Sequence, residues 1–220
     1  QINYLVMKIM HKILMSTNSS DTLKIYDDVM ITVDKDTSIN EMVISDNSVA
    51  TIIIKEGCNL NITSTIYLKG INSKIQIINE NKSKLKAHIG ISGSKKNNIH
   101  IENILRGSDI TSEIKVRVIS EPNSYTYLKT VGILENGYTN NEFLEDIKYL
   151  NEYPGQIVCL PELLVASDDV CANHNMTCAS FDTEMLFYLE SRGLTKSRAK
   201  ELMRDSFLKF GKRKEGIICD

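Results

Sequence analysis

The chain has 220 residues, 42% of them hydrophobic, and its 26 lysines and arginines nearly balance 28 aspartates and glutamates, for a formal charge of −2. That length supports one substantial core or two small ones, and the charge balance excludes the global basic field that holds a nucleic-acid backbone. Five cysteines, Cys58, Cys159, Cys171, Cys178 and Cys219, form no C-x-x-C pair and no regular framework, so they read as reduced thiols in a cytosol-like compartment. No apolar run reaches the roughly 18 to 20 residues of a membrane span, so no membrane partner is expected.

Ile2 to Met15 is apolar but interrupted by Lys8, His11 and Lys12, and no small-residue cleavage site follows it, unlike a secretory signal. The segment is expected to form a helix lying on the body, which assigns residues 1–20 to an N-terminal helical segment. A start at Gln1 instead of methionine suggests a trimmed or processed chain.

Residues 21–165 read as a strand-rich body. Leu23–Tyr26, Val29–Val33, Val49–Ile54, Leu60–Thr63, Lys74–Ile78, Leu85–Ile91, Ile99–Ile104 and Ile114–Val118 are rich in Ile and Val and mostly alternate apolar with polar residues, as strands with one buried face do. Breaks such as Asp46-Asn47, Glu56-Gly57, Gly70-Ile71-Asn72-Ser73, Gly93-Ser94 and Gly107-Ser108 carry turn chemistry and recur about every 8 to 15 residues. Such spacing fits a sandwich, a barrel or a parallel β-helix. The turns lack repeated Asn-Gly hairpin signals and isoleucine dominates the inward positions, which favours the β-helix. Stacked coils leave edges that can pair with another chain.

Asn140–Leu150 places Phe143, Leu144, Ile147 and Leu150 at helical spacing, and Thr139 with Glu142 fits a capping box, so a helix is expected to start there. Further on, Asp182 can cap a helix through Met185, Leu186 and Leu189 that ends at Gly193. Thr195 can cap a second, with Ala199, Leu202, Met203, Ser206, Phe207 and Phe210 on one side and Lys196, Lys200, Arg204 and Lys209 elsewhere. Of the four histidines only His174 stands among ligand types, with Cys171 three residues before it and Cys178 four after. On a strand Cys171 points away from His174, and closing a zinc tetrahedron needs further ligands from elsewhere.

The run PELLVASDDVCANHNMTCASFDTEMLFYLESRG, Pro161 to Gly193, resembles the C-terminal signature of the SufB/SufD family of iron–sulfur cluster assembly scaffolds. The resemblance extends from Pro161 to Phe210 and is faint from Ile114 to Leu150. It implies a mainly β fold, a right-handed parallel β-helix over residues 21–165, with the signature segment and C-terminal helices in residues 166–220. It implies a non-catalytic scaffold subunit that pairs with a SufB-like subunit and binds a SufC-like ATPase through its helical tail. Partner-binding candidates on that tail are Phe187, Tyr188, Phe207 and Phe210, with Phe187 and Tyr188 turned inward while the basic face and Phe207 or Phe210 stay available. His174 matches a histidine at the subunit interface that is proposed to help hold a transient iron–sulfur cluster, with no tightly bound cofactor in the chain alone.

Asn175 stands where SufB-type sequences place glutamate and SufD-type sequences place glycine, so the SufB-type carboxylate is missing and the chain looks SufD-like. Ala172 occupies a position often held by cysteine, so no cysteine role carries over to Cys171. With no G-x-x-x-x-G-K-[ST] loop, ATP hydrolysis is expected on the SufC-like partner, in the cytoplasm or a plastid-type organelle. Two other readings stand beside this one. The chain could be a stand-alone structural β-helix homodimer, or a β-helix enzyme acting on polysaccharides, for which Asp168-Asp169 is the carboxylate pair in sequence.

Overall fold

The computed structural model describes residues 11–15, 20–152 and 156–210. Among these residues fourteen strands alternate between two sheets and two helices follow. In chain order the strands are β1 (His11–Met15), β2 (Ser20–Ile25), β3 (Val29–Val33), β4 (Thr37–Ile44), β5 (Val49–Ile54), β6 (Asn59–Lys69) and β7 (Asn72–Asn79). Then come β8 (Lys84–Ser94), β9 (Lys96–Leu105), β10 (Thr111–Ser120), β11 (Tyr125–Leu134), β12 (Asn141–Leu150), β13 (Ile157–Val165) and β14 (Val170–Ala179). All odd strands form one sheet and all even strands the other, each in sequence order. Every pairing is parallel. Parallel neighbours cannot be joined by a hairpin, and here each is reached through a strand of the opposite sheet, which makes the body a parallel β-helix.

The coils widen along the chain. Val29 lies beside Ala50, 21 positions on; Ala50 beside Ile75, 25 on; Ile75 beside Ile101, 26 on; Ile101 beside Thr130, 29 on; and Thr130 beside Pro161, 31 on. Strand alternation turns every second residue inward, and in-register stacking places those residues in columns. The columns are mostly isoleucine, leucine and valine, and the main core runs through them from Leu23 to Ile147. Each such side chain contributes about 1.5–3 kcal/mol by burial.

Turn residues hold one coil to the next. The Asn97 side-chain carbonyl accepts the Gly70 and Ile71 amides at 2.8 and 3.1 Å, and that of Asn141 accepts the Ile110 amide at 3.0 Å. Inside the solenoid Asn103 accepts from Asn79 at 2.8 Å and donates to Ser112 Oγ at 2.7 Å. Gly132 leaves room for the Phe143 ring, which would lie 2.4 Å from a Cβ at that position.

One interior column changes character near its end. It reads Ile39, Ile62, Ala87, Ile114 and then Glu145, with His174 beside Glu145 in the last strand. Glu145 is 2% exposed, and Thr130 Oγ1 donates to its Oε2 at 3.0 Å. Burial pushes this carboxyl up to about 7, against the lowering effect of the Thr130 hydrogen bond.

Two expected helices are strands. Where Ile2–Met15 is described it forms β1, His11–Met15; residues 1–10 lie outside the described residues. Asn140–Leu150 forms β12, not a helix, because Asn141, Phe143, Glu145 and Ile147 turn inward at a period of two and Asn141 bonds to the preceding coil. The expected capping box at Thr139 and Glu142 is a strand entry instead, the Thr139 amide donating to Ser108 Oγ at 3.0 Å.

The C-terminal helices form as expected. Helix α1 (Thr183–Ser191) is capped by Asp182, which accepts the Glu184 and Met185 amides at 2.9 and 3.1 Å, and Gly193 beyond it takes φ +88°. Helix α2 (Lys196–Leu208) is capped by Thr195. Its C-terminal end rests on the outer face of the even sheet. Leu208 joins Ile119 and Leu150 in a small apolar cluster with Ala179, Phe181 and Phe207 against it. Gly90 lets the helix come this close, since a Cβ there would sit 2.6 Å from the Leu208 carbonyl oxygen.

Two predictions follow from this architecture. Because Glu145 binds its proton more tightly folded than unfolded, its contribution is full below the ordinary carboxyl value of 4.5 and is lost as pH rises through about 7, a loss of about 3 kcal/mol. Glu145→Gln should remove that slope, as read from urea midpoints at about pH 5 and about pH 8; an unchanged slope would assign it to other groups. Gly90→Ala should cost about 1–3 kcal/mol of local packing and raise amide hydrogen exchange across α2 while β8 and β10 stay protected. Unchanged exchange in α2 would mean that Gly90 does not seat the helix.

Candidate functional site

β13 and β14 are the last strands of their sheets among the described residues. Among the described residues no further coil stacks on them, so their inward side chains stand at the open end of the solenoid. None of Val170–Ala179 is buried, although alternate residues stack on the inward columns of β12. Ala172 lies beside Phe143, His174 beside Glu145, Met176 beside Ile147 and Cys178 beside Tyr149. The odd sheet contributes Cys159 beside Leu128, Pro161 beside Thr130 and Leu163 beside Gly132.

His174 is therefore an exposed imidazole at the mouth of the barrel-like interior, in the column of the buried Glu145 carboxyl. Cys171 and Asn175 belong to the opposite face of β14, beside Glu142 and Asp146, as the alternation of a strand requires. Cys178 shares the face of His174 but lies four residues along, roughly 13 Å of strand away. The two cannot bind one metal ion, and no group of three or more His, Cys, Asp or Glu residues could hold a metal ion among the described residues. An imidazole offers one ligand where an iron–sulfur cluster takes four. Any cluster at His174 needs its other ligands from beyond the described residues.

The helical tail has the opposite orientation to the one expected. Phe187 and Tyr188 are exposed, at 73% and 51%, and no residue of α1 is buried. Phe207 packs into the Leu208 cluster. The Phe210 ring stacks on His88, with centroids 4.8 Å apart, and lies under the Arg117 guanidinium at 4.9 Å. The basic face is also engaged: Lys200 Nζ and Arg204 Nε both donate to the Glu152 carboxylate at 2.9 Å. Burial pushes the Glu152 carboxyl up, but these two cations outweigh it and hold it below the ordinary range. Lys209 pairs with Asp205 at 2.6 Å. The surface left open on the helix pair is Met185, Phe187, Tyr188 and Leu202.

Sequence reasoning missed Glu145, Thr130, Tyr149 and Cys159. A strand reading of Asn141, Phe143, Glu145 and Ile147 would have flagged Glu145 as a carboxylate in an apolar column. The Asp168-Asp169 pair lies in the turn before β14 with both residues exposed, Asp169 accepting the Asn140 amide at 3.1 Å.

Residues 154–207 match the family described as SUF system FeS cluster assembly, SufBD core domain. A relative named iron–sulfur cluster assembly protein SufD, from Plasmodium falciparum (isolate 3D7), is 38% identical over 61 residues, which is 27% of this chain and 4% of that protein. The chain thus spans a small fraction of the relative's length. The matched residues include β13, β14, α1 and nearly all of α2, the part of the structure that holds His174 and the exposed face of α1. The core-domain match falls on the coil and helix pair that end this parallel β-helix, and over that stretch the chain is similar to proteins of the SufB/SufD family.

Proposed function

We propose that this chain serves iron–sulfur cluster assembly as a non-catalytic scaffold subunit of the SufD type. In this reading the open end of the solenoid pairs with a SufB-like subunit, and His174 supplies one ligand to a transient cluster completed by that partner. The observation that carries it is the coincidence of the family match with the last coil among the described residues, where the signature histidine His174 is exposed at a sheet end. The free edges of β13 and β14 also suit pairing with another chain, since unpaired strand edges template further strands. A second copy of this chain could use the same edges, and sedimentation of the isolated protein separates that reading from the heterodimer.

The ATPase contact in this proposal lies on α1. Phe187 and Tyr188 supply a large exposed aromatic surface, with the Arg192 guanidinium 5.2 Å from the Tyr188 ring. Exposed aromatic anchors of this type dominate interface energetics. ATP hydrolysis takes place on the SufC-like partner, and its motion reaches the cluster site by rearranging the subunit interface. The compartment is the cytoplasm or a plastid-type organelle, in keeping with unpaired Cys58, Cys159, Cys171 and Cys178.

Co-expression with the SufB-like and SufC-like proteins of the same source tests this. Phe187→Asp should leave the fold intact and weaken ATPase capture by about 30-fold or more, whereas Phe207→Asp should unseat α2 from the body. Retained capture by Phe187→Asp would move the dock elsewhere. His174→Ala should leave the complex assembled and lower the cluster yield after anaerobic addition of iron and sulfide by about tenfold or more; an unchanged yield would remove His174 from the site.

A further inference from the structure

Cys159 and Cys178 stand in inward columns of the two opposite sheets at the open end, within electrostatic reach of each other. Cys178 continues the inward column Ile66, Ile91, Val118, Tyr149, and Cys159 continues the inward column Ile99, Leu128. Tyr149 joins them: it lies beside Cys178 in the stack and its side chain is within electrostatic reach of both sulfurs. Cys159 is half-buried and packs with Tyr149 against the main core, while Cys178 is exposed. The other described thiols are placed differently. Cys171 belongs to the outer face of β14, and Cys58 is buried in a distant turn, its sulfur 3.7 Å from the Glu56 carbonyl oxygen.

We propose that Cys159 and Cys178 are an oxidation-sensitive thiol pair that closes to a disulfide between β13 and β14, with a low-molecular-weight disulfide such as glutathione disulfide as oxidant. Cys178 is solvent-accessible and reacts first. Its thiolate attacks one sulfur of the oxidant, forming a mixed disulfide and releasing one glutathione thiolate. Cys159 then gives up its proton to solvent and attacks the Cys178 sulfur, expelling the second glutathione. Two protein thiols are oxidised, one oxidant disulfide is reduced to two thiols, and the atoms balance. Burial, reinforced by nearby Cys178, pushes the Cys159 thiol up to about 12. The second step is therefore the slow one, since attack requires the thiolate.

The link would join the last strand of one sheet to the last strand of the other, at the end where no further coil holds them. It would also enclose the turn and the strand that carry His174. This inference stands on the stacking of the two columns and not on the family reading.

Incubating the full chain with excess glutathione disulfide at about pH 8, then mapping peptides without reduction, tests it. A Cys159–Cys178 linked peptide should dominate, the intact mass should fall by about 2 Da for the two thiol hydrogens lost, and dithiothreitol should reverse both. Cys159→Ser and Cys178→Ser should each abolish the linked peptide, and Cys171→Ser should leave it. In urea the preference should give way to mixed pairing among the five cysteines. A glutathione adduct on Cys178 that never resolves, a dominant link through Cys171 or Cys58, or a preference that survives unfolding would each overturn the proposal.

Discussion

In-register stacking of inward side chains is the constraint on which the rest of this molecule depends. Each coil buries its apolar residues only because another coil lies on it, so a residue's environment is set by its height in the stack as much as by its own chemistry. Ile114 and His174 occupy one column on one face of one sheet. The first is fully buried and the second is exposed. Position at the end of the stack lets β14 carry a histidine and a thiol in inward columns, and β13 and β14 together hold the segment of the family match.

The transition from core to site occupies one layer. Glu145 and Thr130 form a hydrogen-bonded polar pair across the interior, directly after the isoleucines Ile114 and Ile101 in the same columns. A carboxyl in that position is tolerated because it can remain protonated and has a hydroxyl donor. Helix α2 completes the end from the side. It is held by Leu208 above Gly90, by the Phe210 ring between His88 and Arg117, and by Lys200 and Arg204 on Glu152. These three contacts differ in chemistry and lie along one helix, so its orientation is fixed, and with it the side of α1 that faces solvent.

Much of the fold was legible because alternation is a local signal. The strands around Val29–Val33, Val49–Ile54 and Ile114–Val118 have the period of a half-buried strand, and the helix caps Asp182 and Thr195 stand where their side chains accept amides. The reading failed at β12 for a physical reason. An inward glutamate broke the apolar period of two, and Phe143, Leu144, Ile147 and Leu150 then satisfied the helical period equally well. The residue that concealed the strand is the one that makes the layer beneath His174 polar. The opposition of His174 to Cys171 across the strand was legible from spacing alone. The inward turn of Phe207 and Phe210 was not, because an amphipathic helix shows which side is apolar but not whether a sheet or another protein covers it. The relation of Cys159 to Cys178 was hidden for a related cause: the two residues are nineteen positions apart, and only the wound chain brings both to inward columns of one end.

The growth of the coils from 21 residues between Val29 and Ala50 to 31 between Thr130 and Pro161 gives the solenoid a direction. In an array of equal repeats any unit can be copied or lost with little change at its borders. Here the coils differ in residue count, in both their strands and their turns, so the units are not interchangeable ones. Duplicating a short coil beside a long one would leave inward columns out of register on at least one sheet, exposing apolar side chains on every mismatched strand. The array is free to vary in turn length at its corners, but its order is locked by its taper.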